Sequence, residues 1–232
     1  MLSKGDRWTA IVPLRAGSKG LPNKNTRILA GKPLYSHAIE QALRAGASKV
    51  IVSTDIEEIV ENVNLPTGVD VIRRPTWLCE DNIPMAPVIS HALSETRTTG
   101  PVVLLQATSP LRDVTDIEAA LSLFATVEYD VVMSVTEADR VALKWGTVSG
   151  TRFQPLSDPS HCFSNRQSLP AVFRPNGAIY IFDAEWILAR GSFVTDRLGC
   201  VAMPPSRSWD IDTVEDFERC AAAFSPSAIP EP

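Results

Sequence analysis

The feature that most constrains the fold of this chain is a regular alternation of short apolar runs with amphipathic segments. Residues 8–14 and 49–55 have the length and composition of buried strands, and residues 31–46 between them repeat apolar side chains at helical spacing. Because strands that alternate with helices build βαβ units, the pattern predicts an α/β fold with a mostly parallel, mixed central sheet flanked by helices. Further predicted strands are 69–72, 101–106, 130–135 and 200–204, further predicted helices are 56–63, 87–96, 116–125 and 214–224, and 177–191 supplies a strand followed by a helix.

The alternation lapses in one stretch, about residues 141–173, where short strand-like pieces surround turn residues. This predicts a small β-rich insertion, such as a dimerisation arm, within a single domain of residues 1–224; the composition of 225–232 predicts a disordered tail. Capping boxes are predicted at Thr115 with Glu118 and at Thr213 with Asp216.

Composition excludes several classes of protein. The formal net charge of −5 argues against a nucleic-acid partner, since such proteins usually carry a basic surface. The four cysteines form no C-x-x-C pair, which favours a reducing compartment over a zinc site. We expect no association with a membrane, because no apolar run is long enough to cross a bilayer, and therefore a cytoplasmic location.

Polar side chains follow the predicted strands, where parallel sheets bind their ligands. The first strand runs into the basic segment "LRAGSKGLPNKN", whose small residues would let backbone amides approach phosphate oxygens while cations balance their charge. The spacing is that of neither a P-loop nor a dinucleotide fingerprint. A solvated basic turn is the alternative. The residues concerned are Arg15, Ser18, Lys19, Lys24 and Asn25 after this strand, and Gln106 and Thr108 after the strand at 101–106.

A pair of carboxylates, Asp210 and Asp212, precedes the last predicted helix in "SWDIDTVEDF". Side chains two apart in extended backbone point to the same side, so both carboxylates could face one hard cation such as Mg²⁺. The alternative is that they complement the dipole at the start of the helix.

A third group lies in "RQSLPAVFRPNGAIY", where Arg166, Arg174, Asn176 and Tyr180 lead into an apolar strand. Paired guanidinium groups suit a carboxylate or a phosphate, and the amide and phenol add hydrogen bonds. Equally, Arg174 and Asn176 could simply shape a turn.

Taken together, these motifs resemble the acylneuraminate cytidylyltransferases, also called CMP-sialic acid synthetases. The resemblance extends from about Thr9 to Phe224 and is carried, in order, by "LRAGSKGLPNKN", "VSTD", "RRPTWL" with Asp81, "LLQATSPLR", "RQSLPAVFRPNGAIY" and "DIDTVEDF". It implies the Rossmann-like fold of nucleotide-diphospho-sugar transferases and a homodimer whose inserted arm reaches the partner's site. The implied reaction couples CTP with a nine-carbon 2-keto sugar acid, such as sialic or legionaminic acid, giving the CMP-sugar and pyrophosphate.

The resemblance also assigns roles by motif. Catalysis falls to Arg15, Lys19, Asp210 and Asp212, and the two aspartates would bind Mg²⁺, or Mn²⁺ in its place. Nucleotide binding is implied for Arg15, Ser18, Lys19, Lys24, Asn25, Arg74, Asp81 and Asn82, and sugar binding for Gln106, Thr108, Lys144, Arg166, Asn176, Tyr180 and Phe193.

Two alternatives stay open at this point. The chain could use another nucleotide or a different acidic sugar, such as 3-deoxy-octulosonate. It could also be a non-catalytic relative that binds nucleotide sugars.

Overall fold

The computed structural model describes residues 7–18, 20–61 and 65–224. The predicted disordered tail, 225–232, and the predicted catalytic Lys19 lie outside the described residues. The strands are β1 (Thr9–Pro13), β2 (Ile28–Leu29), β3 (Lys32–Pro33), β4 (Lys49–Thr54), β5 (Val69–Arg73), β6 (Pro101–Leu105), β7 (Val131–Ala138), β8 (Gly146–Ser149), β9 (Arg152–Pro155), β10 (Val172–Asp183) and β11 (Leu198–Ala202). The helices are α1 (Leu34–Arg44), α2 (Glu57–Val60), α3 (Met85–Thr96), α4 (Val114–Phe124), α5 (Ala184–Arg190) and α6 (Val214–Ala223).

The described residues build one central sheet of seven strands in the order β11-β7-β10-β6-β1-β4-β5. β10 pairs antiparallel with both β6 and β7, and the other pairings in this sheet are parallel. The predicted mixed, mostly parallel α/β sheet is therefore confirmed. Its parallel strands bring the segments that follow β1, β4 and β6 to the same edge.

The two faces of the sheet are both buried, as the apolar strand sequences require. Within β1, Ala10 and Val12 face a core shared with Ala38 and Ile39 of α1. Ile11 points the other way, into a core with residues of α3 and α5. This alternation follows from the two-residue period of a strand. Within the described ranges, none of the helices is long and apolar enough to cross a membrane.

Three helices start two or more residues from the predicted position; α4 starts at Val114 rather than 116, and the shifts of α1 and α3 have a cause in a turn and a proline. Ala30 and Gly31 adopt positive φ angles of 48° and 85°, which closes the small hairpin of β2 and β3 and delays α1 to Leu34. α3 starts at Met85, earlier than predicted, because Pro87 falls in its first turn, where the missing N–H costs nothing.

Of the two predicted capping boxes, one is present. The predicted box of Thr115 with Glu118 is wrong: Asp113 caps α4 and pairs with Asp116, two residues earlier. The predicted box of Thr213 with Asp216 at α6 is confirmed.

The segment between β7 and β10 contains the hairpin of β8 and β9 and three short 3₁₀ turns at Arg140–Lys144, Pro159–Phe163 and Arg166–Ser168. β10 then begins at Val172 and pairs with the end of β7. The role of this segment as a dimerisation arm stays a prediction.

Candidate active site

A polar cleft opens where β1, β5 and β6 end, at the edge where ligands of parallel sheets bind. Its volume is about 390 Å³. A cavity of about 490 Å³ lies at the opposite end of the sheet, by the starts of β6, β7 and β11, and its wall is mostly apolar. The cleft is lined by Pro13, Arg15, Ser18, Gly20, Lys24, Asn25, Arg74, Met85, Gln106, Thr108, Asp210 and Asp212.

The basic loop after β1 is fixed by hydrogen bonds to neighbouring segments. The Asn25 side chain is buried and its amide donates to the carbonyl oxygen of Arg15 (2.9 Å). The backbone N–H of Ala16 donates to Asp55 (2.8 Å), and the Arg15 guanidinium pairs with Asp81. The described residues of this loop, 14–18 and 20–25, are therefore an ordered part of the cleft wall rather than a freely solvated turn.

Arg74 lines the cleft on the side of β4 and β5. Its side chain is buried and donates to the carbonyl oxygen of Ser53 (2.7 Å) at the end of β4. Burial is the main cause that lowers the pKa of this guanidinium, while Asp55 and the Cys79 thiol oppose that shift. The charge of Arg74 is thus carried at the cleft wall by a side chain that has little freedom to move.

The two carboxylates predicted to act together do reach the same cleft. Ile211 between them is fully buried against α1 and α6, and its N–H donates to the carbonyl oxygen of Thr108 (2.9 Å). With Ile211 pointing into the core, Asp210 and Asp212 face the opposite side. Thr213, not either aspartate, is the N-cap of α6, so neither carboxylate caps the helix, although Asp212 directly precedes the cap and lies near the positive end of the helix dipole.

Lys24 joins the basic loop to this pair. Its ammonium group donates to Asp212 (2.9 Å) and to the carbonyl oxygen of Ile211. The Lys24 side chain is only 12% exposed, whereas that of Asp212 is 73% exposed. The cation is therefore held in place while the carboxylate remains open to a ligand.

The electrostatics of Asp210 differ from those of an isolated aspartate. Although it is exposed along the cleft, the protein around its other sides raises the pKa of its carboxyl, and the charges of Asp212 and Asp216 add to that effect. The Thr108 hydroxyl and Lys24 oppose the rise. A cation placed at the pair would relieve the repulsion between the carboxylates.

Asp210 and Asp212 would form a complete Mg²⁺ site only together with ligands from water or the substrate. Among the described residues, no cluster of three or more His, Cys, Asp or Glu side chains could hold a metal ion. Mg²⁺ commonly binds through one or two carboxylates and completes its octahedron with water and substrate phosphates. The donor set of Asp210 and Asp212 beside a basic loop suits that arrangement.

The structure does not bring all predicted sugar-binding residues into the cleft of this chain. Lys144 donates to the carbonyl oxygen of Ser164, and Arg166 pairs with Asp139 (3.3 Å), both within the inserted segment. Phe193 packs edge-on against Phe182, with ring centroids 5.1 Å apart, among the core residues of β6 and α5. Their predicted role in sugar binding requires another chain or a rearrangement.

Two other predicted sugar-binding residues lie beneath the cleft. Tyr180 is half-buried, and burial together with the charge of Asp210 raises the pKa of its phenol. Asn176 is buried, and its side chain bonds Ser134 (2.5 Å) and Ser208 (3.0 Å). Asn176 therefore links β7 to the loop that carries the carboxylates, rather than facing the cleft.

The two remaining residues predicted to bind the nucleotide are Asp81 and Asn82. Asp81 reaches the cleft through its ion pair with Arg15, and Asn82 is exposed in the turn that precedes α3. Met85 and Gly20 line the cleft although neither was predicted as a site residue. The glycine in the motif "SKGLP" could have indicated that Gly20 lies in the site. An apolar residue such as Met85 carries no sequence signal of a site role.

The fold of the chain matches solved structures of low sequence identity. It superposes on a CMP:2-keto-3-deoxy-manno-octonic acid synthetase complexed with CTP with a TM-score of 0.68, covering 94% of this chain and 98% of that one at 17% identity. A 4-diphosphocytidyl-2C-methyl-D-erythritol synthase from Anaerococcus prevotii gives a TM-score of 0.65 at 14% identity, over 93% of this chain and 95% of that one. These likenesses establish the fold that the chain shares with these two proteins.

The sequence then identifies the family. The family model described as "Cytidylyltransferase" matches residues 9–188, and the chain belongs to this family. It is 34% identical over 210 residues to the N-acylneuraminate cytidylyltransferase of Streptococcus agalactiae, covering 89% of this chain and 51% of that protein. It is 37% identical to the N-acylneuraminate cytidylyltransferase of Escherichia coli, covering 90% of this chain and 50% of that protein.

Not every relative is longer than this chain. The CMP-N,N'-diacetyllegionaminic acid synthase of Legionella pneumophila is 32% identical over 91% of this chain and 93% of its own length. By contrast, the chain spans about half the length of the N-acylneuraminate cytidylyltransferases that it matches.

Proposed function

We propose that this chain transfers a cytidylyl group from CTP to a nonulosonic acid, sialic acid or a close relative such as legionaminic acid, releasing pyrophosphate. The observation that carries the proposal is the meeting of a fixed basic loop and a carboxylate pair in one cleft, joined by the contact of Lys24 with Asp212. Relatives with activities of this kind match the chain over most of its length.

The proposed reaction needs positioned charge more than a covalent nucleophile. The anomeric hydroxyl oxygen of the sugar attacks the α-phosphorus of CTP, the bond from that phosphorus to the pyrophosphate oxygen breaks, and the hydroxyl proton is released. Negative charge grows on the phosphoryl and leaving oxygens. Arg15 and Lys24 would hold the triphosphate, and Arg74 and Asn25 the cytidine; all four residues line the cleft.

Asp210 and Asp212 would hold a divalent cation, Mg²⁺ or Mn²⁺, with Asp212 as the main ligand. When bound, that cation would neutralise charge on the triphosphate oxygens. Lys24 already offsets the charge of Asp212 in this structure, and a phosphate group would give the ammonium an additional partner. Gln106 and Thr108, on the wall next to Asp210, would contact the sugar.

The homodimer predicted from the family resemblance belongs to the same proposal. The inserted segment exposes Trp145, Val148 and Phe163, the last of them 92% exposed. Apolar side chains concentrated on one inserted segment favour a protein interface. Because Lys144 and Arg166 lie in that segment outside the chain's own cleft, we infer that they complete the sugar pocket of a second copy. We also propose that the reaction takes place in the cytoplasm.

A substrate panel tests the proposal. The purified chain is incubated with Mg²⁺ and each of CTP, UTP, ATP and GTP, in combination with N-acetylneuraminic, legionaminic, pseudaminic and 3-deoxy-octulosonic acids, and pyrophosphate release is measured. We expect release with CTP and a nine-carbon acid. Release with 3-deoxy-octulosonic acid alone, or with another nucleotide, would identify a different transferase, and binding of CTP without release from any acid would indicate a non-catalytic relative.

A further inference from the structure

The loop from Met203 to Thr213, which carries Asp210 and Asp212, has few regular hydrogen bonds of its own. It leaves β11, makes one short 3₁₀ turn at Pro205–Arg207 and ends at the cap of α6. A carboxylate pair that must meet a cation and a triphosphate within a few tenths of an ångström needs such a loop to be fixed from outside. The contacts of the loop show what fixes it.

Arg207 anchors the loop to α4. Its guanidinium donates to Asp116 through two bonds, Nε to Oδ2 (3.0 Å) and Nη2 to Oδ1 (2.7 Å). The Asp116 side chain is only 7% exposed, and Oδ2 also accepts the backbone N–H of Asp113 in the capping box of α4. The Asp116 carboxylate is therefore held in place by the capping box of α4. Its two parallel bonds to Arg207 fix the orientation of the guanidinium.

Ser208, the residue after Arg207, is anchored to β10. It is buried, accepts a bond from the Asn176 amide (3.0 Å) and donates to the carbonyl oxygen of Pro204 (2.9 Å). Two successive residues are thus tied in different directions, one to α4 and one to β10. Asp210 follows only two residues after Ser208, so little freedom remains between the anchors and the carboxylate.

We propose that Arg207, bound to Asp116, is a positioning residue that sets the place of Asp210 and Asp212 in the cleft. Arg207 does not line the cleft itself, so it acts through the backbone that it holds. The proposal rests on the proposed function for its effect on turnover, but its structural consequence is independent of that function. Lysine could keep the charge but not the paired bonds.

The matched control is Arg197, at the other end of β11. Arg197 also pairs with a carboxylate, Asp130 (3.2 Å), and donates to the carbonyl oxygen of Val127 (2.8 Å), but it lines the cavity at the opposite end of the sheet. Arg197→Ala thus removes a comparable ion pair far from the candidate site.

The test compares Arg207→Ala, Arg207→Lys and Arg197→Ala with the wild-type chain, at a temperature where thermal unfolding shows all four to be folded. For Arg207→Ala we expect kcat to fall and the half-saturating Mn²⁺ concentration, read by electron paramagnetic resonance with CTP present, to rise, each about 10-fold. The KM for CTP should change less, and Arg207→Lys should lie between. The Ile211 amide, bonded to Thr108, should exchange its hydrogen faster in Arg207→Ala and not in Arg197→Ala.

Unchanged exchange at Ile211 in Arg207→Ala would overturn the proposal, as would effects of the same size in Arg197→Ala. Faster exchange with wild-type kcat and Mn²⁺ dependence would also overturn it, because the anchor would then have no bearing on the carboxylates. If the wild-type chain releases no pyrophosphate with any substrate, the proposed function fails, whereas Mn²⁺ binding and the exchange of Ile211 still decide whether Arg207 positions the pair.

Discussion

At the scale of single residues, the candidate site depends on a close approach between its two halves. Gly20 of the basic loop packs directly on the backbone of Asp212, and a Cβ at this position would lie 2.4 Å from the Asp212 carbonyl oxygen. Real Cβ atoms do not come so close to an oxygen, so a side chain here would force the halves apart. Gly17, in the same loop, has open space where a Cβ would stand, with no other atom within 4 Å.

These two glycines give a matched pair of variants. We expect Gly20→Ala to separate the basic loop from the carboxylates, at a cost of about 1–3 kcal/mol in stability, and to lower kcat/KM for CTP strongly. Gly17→Ala should leave both quantities close to wild type. Urea unfolding and pyrophosphate release measure the two effects; equal activity of the two variants would show that the close approach is unimportant.

At the scale of elements, α1 and α6 pack against the loop that contains Ile211, on the side of the loop that faces the core. Ile211 packs in a small core with Leu34 of α1 and Cys220 of α6. His37 of α1 is also buried; it is bonded to the carbonyl oxygen of Leu29 (2.9 Å), and its ring centroid lies 5.0 Å from that of Phe224, which follows α6. The packing of the two helices therefore includes one titratable ring.

The pH dependence of stability follows from that ring. Burial lowers the pKa of His37 below its ordinary value of 6.5, Lys32 lowers it further, and the Leu29 carbonyl and Glu40 oppose the shift. The unfolded chain therefore binds a proton more readily than the folded chain does. As the pH falls below about 6.5, the free energy of unfolding should decrease until the lower pKa of the folded state is reached.

Urea unfolding at pH 7.5 and 5.5 checks this expectation, with His37→Gln as the control because glutamine can donate to Leu29 without titrating. The wild-type chain should lose more stability between these two pH values than the variant does. Parallel losses would show that His37 contributes nothing to the pH dependence.

Elements were predictable where their pattern is local. The strands β1, β4 and β6 are apolar runs of strand length, so their type and the convergence of the segments that follow them were predictable from pattern and topology. The meeting of Asp210 and Asp212 with the basic loop was implied by the family resemblance alone. The bond from Arg207 to Asp116 joins residues 91 positions apart. No spacing rule encodes such a contact, and the same holds for the buried links of Asn176, which the sequence placed in a sugar pocket.

At the scale of the whole molecule, the acidic chain collects positive charge in the cleft and exposes apolar surface on the inserted segment. Trp145, Phe153 and Phe163 of that segment are all at least half exposed. A homodimer formed through this surface would bury them and bring Lys144 and Arg166 towards the cleft of the partner.

Sedimentation measures the expected assembly. We expect the wild-type chain to sediment as a dimer, the double variant Val148→Asp with Phe163→Asp to sediment as a monomer with little turnover, and Leu188→Asp to behave like wild type. Leu188 is the control because it is exposed on α5, outside the inserted segment. A wild-type chain that is monomeric and fully active would contradict the shared pocket.

The most direct test of the proposed cleft chemistry is product formation by the wild-type chain beside Asp212→Asn, which keeps the size of the side chain and removes its charge. With CTP, Mg²⁺ and N-acetylneuraminic or legionaminic acid, we expect mass spectrometry to detect the CMP-linked sugar in equal amount to the pyrophosphate released. Asp212→Asn should fold normally and form none. Wild-type yields from Asp212→Asn, or no CMP-linked sugar from the wild-type chain with any nine-carbon acid, would contradict the proposed function of the cleft.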